Sequence, residues 1–542
     1  MKFPTKQWAT KAKELIPKLK HWTMTPVAMV EPVADPKAWQ GVRMRPVQPQ
    51  ASYQRGDIIY FDFGEHAVGH ISLDISIVGH EYDSPAYFRI LAAELPYEFE
   101  FKPEKWNHWL SMAWMQEEYV KFDKIPKGVE LPRRYAFRYL AIEVLVAPGP
   151  VVFNRVELHA ESSGGHQLPA PPAGLTDLEQ KIFTVGARTL RNCMQTVLED
   201  GPKRDRRLWL GDLRLEAMAN AVTFREPQVI ERSLYLLASA TGKDGICPSD
   251  VFEEPDGTQG AQVFEYPFFF AKCLLEHITW YPRRRQIAEE LYDFAANQFQ
   301  IVRKYIDKNH LLTPPKDKWV VIDQNRTLDK TVAVHCTYLF GLEALIELAR
   351  KLRKPGIEKL EAELAVMRKA AYDAWFDPAT GFFSAYHDAE LSNTKPVRSA
   401  KDWKGPRYEL HDISARKPDA ELSVASQVWA VLGKVVTGKE AKSLMKRTLA
   451  TKSLVQPAAP YLQHYVLEAC ALCGETAGLR KLIREYWGVM VKVGADTFFE
   501  VFRPEDPFYS PYQMTWVNSA CHAWSCTPIV YLAKLGNPFP KR

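Results

Sequence analysis

The chain has 542 residues, a formal net charge of +5, 46% hydrophobic and 25% charged residues. That length accommodates two or more domains, and the composition is that of a soluble globular protein. So slight a charge, with no Lys/Arg tract, gives no basis for nucleic-acid binding. Eight cysteines are scattered, mostly through helical patterns, which predicts reduced thiols. Cys470 and Cys473 form a CxxC with no second pair nearby, so they read as small buried apolar residues. Phosphate-loop, dinucleotide-glycine and HExxH patterns are absent, and neither a metal nor a cofactor is expected.

From the N-terminus, residues 1–20 read as a short Lys-rich helix without the apolar core of a secretory signal. No run of about 18 apolar residues suggests a membrane span, and the cytoplasm is the expected location. Between Met24 and Ala160 the pattern changes to short β-type runs, over 56–63, 68–77, 86–91, 138–145 and 151–158. Their alternation predicts an antiparallel, jelly-roll-like β-sandwich. The Gly/Pro-rich stretch that ends at Gly174 marks a boundary. The expected organisation is a helix plus β-sandwich over 1–165, a linker over 166–174, and an all-α domain over 175–542. In that last region the periodicity gives twelve helices, starting near 175, 212, 227, 262, 283, 329, 356, 420, 438, 459, 476 and 512. Twelve helices in consecutive pairs fit an (α/α)6 barrel of six hairpins, although other all-α folds give the same count. The charge-rich insert from Asp388 to Lys417 reads as a surface loop.

Chemistry concentrates first between Glu199 and Asp212. Asp200, Asp205 and Asp212 stand there with Lys203, Arg204, Arg206, Arg207 and Trp209, in a segment that Gly201, Pro202 and Gly211 keep from being one helix. Carboxylates bind sugar hydroxyls and an indole face covers the C–H surface of a ring, so a sugar site suits these residues. Surface ion pairs are the plain alternative. A second acid is Glu500, set among aromatics in Thr497-Phe498-Phe499-Glu500-Val501-Phe502, where desolvation would suit it to take a proton. On residue type alone, Glu500 could equally be an acid at an element boundary, and His522 in Asn518–Pro528 a core histidine. Trp319 and Tyr266 are candidate aromatic walls, while Phe264 and Phe268 read as core.

Three of these stretches resemble, in order, elements of the bacterial α-L-rhamnosidases of glycoside hydrolase family 78. The family loop reads Asp-x-Pro-x-Arg-(Asp)-Glu followed by Trp-x-Gly-Asp, and Asp200, Arg204, Trp209, Gly211 and Asp212 fall on its positions. Where many relatives carry a Glu seven residues before the last Asp, this chain has Asp205. The Thr-Phe-x-Glu around Glu500, the Ser-x-x-His-x-Trp-Ser-x-x-Pro around His522, and the Trp319 segment are similar to further family elements. The resemblance implies an N-terminal β-sandwich, an (α/α)6 six-hairpin barrel, and release of terminal α-L-rhamnose with inversion. It also implies Asp205 as general acid and Glu500 as general base, with Asp200, Arg204, Trp209, Asp212, Trp319, His522 and Tyr266 around the sugar. Asp200 and Asp212 are expected to crowd Asp205 and so keep it protonated, and Arg204 to engage Asp200 or a sugar hydroxyl. Two alternatives stand beside this. One is a six-hairpin hydrolase for an acidic sugar clamped by Lys203, Arg206 and Arg207, and the other a non-catalytic carbohydrate-binding protein. The expected partner is a rhamnoside, with no nucleic acid and no membrane; the sequence leaves a homodimer open.

Overall fold

Alternation of apolar and polar residues carries Ile58–Ile77 as a single strand of 20 residues, merging two of the expected runs. The computed structural model describes residues 3–79, 85–107, 109–125, 127–253, 257–315, 317–325, 328–385 and 422–536. The insert from Asp388 to Lys417 lies outside the described residues. Near Gly64, whose φ is +82°, the long strand changes register between Asp62 and Ala67. Tyr135–Val146 pairs with it on both sides of the shift, Ala28–Ala34 only before it, and Lys127–Glu130 and Val151–Ser162 only after it, all antiparallel. A bulge of this kind lets one strand serve both layers of a sandwich. Phe61, Phe63, Leu73, Phe88, Leu140 and Leu158 meet in a single core. The network holds nine strands. Those the sequence did not signal are short, such as Lys20–Met24 and Lys127–Glu130, or carry charges and proline in mid-run, as Ala28–Ala34 does.

Helix α1 (Thr5–Glu14) buries Trp8 and Ala12 against the helical body, so by its packing it belongs with that body and not with the strands beside it in sequence. A capping box between Thr176 and Glu179 starts α2 (Asp177–Cys193). There follow α3 (Leu210–Val222), α4 (Pro227–Ser239), α5 (Phe269–Trp280), α6 (Gln286–Val302), α7 (Thr331–Leu352) and α8 (Ile357–Trp375). The remainder are α9 (Val424–Leu432), α10 (Gly438–Ala450), α11 (Pro460–Leu472), α12 (Thr476–Lys492) and α13 (Pro528–Gly536). Twelve α-helices thus follow the boundary among the described residues. The largest departures are α5, which begins at Phe269 after a 3-10 turn, and α13. No helix begins at 512, where the chain runs instead through irregular loop.

Odd-numbered helices from α3 onward form the inner ring: α3 packs on α5, α5 on α7, α7 on α9 and α9 on α11, with α13 closing onto α11 and α3. Even-numbered helices lie outside. The chemistry matches the position, since every residue of α9 is buried. Helix α7 is long and apolar enough to cross a membrane, but it lies buried in the ring.

One polar cluster pins this apolar interior. Arg214 of α3 is fully buried and donates to Glu276 of α5 (2.8 Å) and Glu468 of α11 (2.7 Å). Removing the shared cation takes the one fully buried positive partner from both carboxylates. Arg214→Ala is therefore expected to cost about 3–5 kcal/mol in denaturant unfolding; a loss below about 1 kcal/mol would mean that the cluster does not hold the ring.

Candidate active site

All the residues singled out in the sequence lie in, or directly after, connections that lead from an outer helix into an inner one. The α2–α3 connection carries Asp200 to Trp209, the α4–α5 connection Tyr266, the α6–α7 connection Trp319, and the α12–α13 connection Glu500 and His522; Asp212 sits in the first turn of α3. They therefore converge at the end of the ring where the inner helices begin. Two of these loops are tied together by a bridge between Val263 and Trp319, with Glu265 accepting hydrogen bonds from the N–H groups of Val321 (2.8 Å) and Ile322 (2.9 Å).

At the centre is Arg204. One of its terminal nitrogens donates to Asp205 Oδ1 (2.9 Å), the other to Glu500 Oε2 (2.6 Å), and its Nε to the carbonyl of Val517 (2.7 Å). Acids from the two far ends of the helical domain thus sit on one guanidinium. This corrects the expectation for Arg204, which engages Asp205 and Glu500 and not Asp200. Asp200 faces inward, accepting from the backbone N–H of Asp205 and of Arg207, each at 3.0 Å, which folds the loop around it. Glu500 is fixed further by the N–H of Ser519 (3.1 Å) and by the hydroxyl of Tyr512, whose ring lies 4.3 Å from the Arg204 guanidinium. Asp205 keeps access to solvent, with 18% of its side chain exposed against 3% for Glu500.

Burial decides the local charge states. Asp200 is pushed well above the usual carboxylate range by desolvation first and then by the Asp205 charge; Asp212 is pushed up by burial, then Asp200, then Glu500. Burial thus raises both of the acids that were expected to crowd Asp205. His522 lies between them, with Nε2 3.7 Å from Asp200 and Nδ1 3.8 Å from Asp212. Burial, with Arg204 adding to it, lowers His522 to about 3, so it is neutral at physiological pH. Asp212 Oδ1 and His522 Nδ1 have no hydrogen-bond partner among the described residues. A substrate hydroxyl could satisfy both.

The aromatic residues form one continuous edge-to-face series. Trp209 meets Trp319 at 6.0 Å and Tyr266 at 6.4 Å between ring centroids. Trp319 is 45% exposed, as a ring awaiting an apolar partner would be, whereas Tyr266 is buried. Gly211 has to be glycine here, because a Cβ would lie 2.4 Å from the Tyr266 ring. Phe268 is fully buried in the core and Phe264 packs against it.

The three cations offered as a clamp for an acidic sugar are turned to protein partners. Lys203 is buried between Glu98 (3.0 Å) and Glu94 (3.3 Å), Arg206 donates to the Arg134 carbonyl (2.9 Å), and Arg207 pairs with Asp250 (3.3 Å). Sequence reasoning missed Tyr512, Glu265 and Glu94, none of which has a local pattern pointing to the site; Ser519 opens the motif around His522, but its bond to Glu500 depends on the fold. All eight cysteines are free, and the described residues hold no cluster of His, Cys, Asp and Glu suited to a metal.

Comparison with known proteins bears on the same residues. The model of the glycosyl hydrolase family 78 α-rhamnosidase N-terminal domain matches residues 26–160, and that of the bacterial α-L-rhamnosidase six-hairpin glycosidase domain matches residues 176–535. A rhamnosidase from Klebsiella oxytoca, solved with rhamnose bound, is 33% identical over 99% of both chains with a TM-score of 0.89. The family 78 rhamnosidase of Bacillus sp. GL1 shares the fold (TM-score 0.71, 17% identity), covering 91% of this chain and 49% of its own. So does the Streptomyces avermitilis α-L-rhamnosidase complexed with L-rhamnose (0.64, 14%; 96% and 44% covered). A comparison with curated proteins returns no match. With family models spanning the β-rich and helical regions alike, and a full-length relative of the same architecture, this chain belongs to the bacterial α-L-rhamnosidases of glycoside hydrolase family 78 and is a glycosidase.

Proposed function

We propose that this hydrolase removes terminal α-L-rhamnose by a single displacement with inversion, Asp205 acting as general acid and Glu500 as general base. The observation that carries the assignment is the Arg204 bridge, which brings these two carboxyl groups to one site from opposite ends of the helical domain. An inverting enzyme requires an acid at the departing oxygen and a base that activates water on the other face of the sugar. Glu500, oriented by Tyr512 and Ser519 and bound to Arg204, has the fixed geometry that a base needs. Asp205 has the solvent access that a proton donor needs.

Beside the proton donor, Asp200 is raised by burial first and then by the Asp205 charge. Asp200, committed to two backbone N–H groups, anchors the loop, and Asp205 delivers the proton. Asp212 and neutral His522 take ring hydroxyls, and the exposed face of Trp319, backed by Trp209, covers the methyl-bearing side of rhamnose. The substrate class follows from family membership and from the relatives solved with rhamnose. The engagement of Lys203, Arg206 and Arg207 with protein groups weighs against an acidic sugar. Eight unpaired thiols suit a reducing compartment, and the cytoplasm is the proposed location.

NMR of the first-formed product from a nitrophenyl α-L-rhamnoside should show β-L-rhamnose; α-L-rhamnose appearing first would replace inversion by a double displacement. Asp205→Asn and Glu500→Gln should each lower kcat by about 10²–10⁴-fold with the fold intact. A near-normal Asp205→Asn beside an inactive Asp212→Asn would move the acid to Asp212.

The raised Asp212 also sets a pH dependence of stability. In the unfolded chain it ionises near the ordinary value of about 3.9, while in the folded state it holds its proton to higher pH. The folded state therefore binds more protons above that value, and this group's contribution to stability falls as pH rises until the folded group ionises. Asp212→Asn should flatten the fall of Tm between about pH 4 and pH 7; an unchanged slope would show that Asp212 is not held protonated.

A further inference from the structure

The active-site loops are gripped from beneath by a carboxylate that belongs to the β-domain. Glu94 directly follows the strand Ala86–Ala93 and is buried. Its Oε2 accepts the N–H of Ala520 (2.7 Å) and lies 3.3 Å from Lys203 Nζ; Lys203 in turn donates to the carbonyl of Asn518 (3.1 Å). Each contact is one residue from the catalytic apparatus. Lys203 precedes Arg204. Ala520 follows Ser519, whose N–H binds Glu500 and whose hydroxyl donates to the Arg204 carbonyl (2.6 Å).

Glu94 is itself held in place. Its Oε1 lies 3.1 Å from Nε2 of His66, and the other nitrogen of that ring faces the Asn192 amide at 2.8 Å. The Asn192 amide nitrogen is a donor, so His66 Nδ1 accepts and its proton sits on Nε2, aimed at Glu94. The arrangement runs from α2, through a strand of the β-domain and Glu94, to both halves of the site. Glu98, the other partner of Lys203, has no hydrogen bond to the 518–520 segment.

We propose that Glu94 is a positioning residue for hydrolysis, locking the segment that bears Asp205 and the segment that supports Glu500 into register, so that the N-terminal domain is part of the catalytic unit. This rests on the acid and base assignment made above. A displacement of about 1 Å between reacting groups costs on the order of 10²-fold in rate, so loosening this lock acts on turnover. Asp212 and Trp319 stand on segments that Glu94 does not touch, so binding is expected to change less than turnover.

The test is steady-state kinetics of the full chain on a nitrophenyl α-L-rhamnoside. Glu94→Gln should lower kcat by about 10- to 100-fold, with KM changed by less than about threefold. The paired variant Glu94→Gln/Lys203→Gln removes Glu94 and its cation together, and Glu98, pushed up to about 7 by burial even beside Lys203, is free to take a proton, so the pair carries the test if the single variant does not fold. A folded pair that stays at least about tenfold slow supports positioning. A pair, or a folded single variant, with kcat within about threefold of the parent overturns it, because a merely neutralising role for Glu94 disappears once Lys203 is uncharged. Asp205→Asn and Glu500→Gln run alongside keep the two claims apart. If both are inactive while Glu94→Gln is normal, only the positioning role falls, whereas if both are active the acid and base assignment falls instead.

Discussion

Two carboxylates sharing one buried guanidinium are the constraint on which this site depends. Arg204 and Glu500 are 296 residues apart in the chain, yet their contact is buried and short. Ionised groups taken out of water are tolerated only when paired and hydrogen-bonded, so the loops that bring them together are held by necessity as much as by packing. Arg204 meets that demand for Glu500 and holds the Asp205 carboxyl beside it. Its planar fork offers two donors in fixed directions, which sets the relative position of the acid and the base. Tyr512 and Ser519 complete the set of partners around Glu500, and the two N–H bonds to Asp200 keep the Arg204 loop folded toward it.

The ring of helices makes this convergence routine. Because every connection into an inner helix emerges at the same end, residues scattered from Asp200 to His522 have only a short distance to cover. The apolar inner helices supply the low-dielectric floor that raises Asp200 and Asp212 and keeps His522 neutral. Arg214 ties three of those helices, while Glu94 and His66 extend the polar framework into the β-domain. The two domains are thus joined through charges beneath the site as well as through apolar contact.

Much of this was legible in the sequence. Amphipathic periodicity gives twelve helices because the inner and outer rings bury different faces, and the signal is strong in α2 and α9. It fails near 512, where the aromatic-rich loop from Arg503 to Cys521 imitates a helix while serving Glu500. Alternation finds the long strands but splits Ile58–Ile77 at its bulge and misses the short strands, whose partners alone make them regular. The motif residues around Asp200 and His522 are recognisable because their types carry sugar chemistry. Which acid Arg204 grips is not, since that depends on contacts between residues hundreds of positions apart. The burial that lifts Asp200 and Asp212 is likewise set by tertiary structure. Glu94 and His66 give no local hint, because an acid after a β-strand and a histidine within one are ordinary until the helical domain packs on them.

The most direct measurement of the central claim is the single-turnover rate constant of Arg204→Lys at saturating rhamnoside. A lysine ammonium is a point charge on a flexible stem and cannot meet two carboxylates with the directed geometry of a guanidinium. The bridge predicts a rate at least about 10²-fold below that of the parent, with substrate binding retained. A rate equal to the parent's would contradict it, and would mean that Asp205 and Glu500 are placed without Arg204.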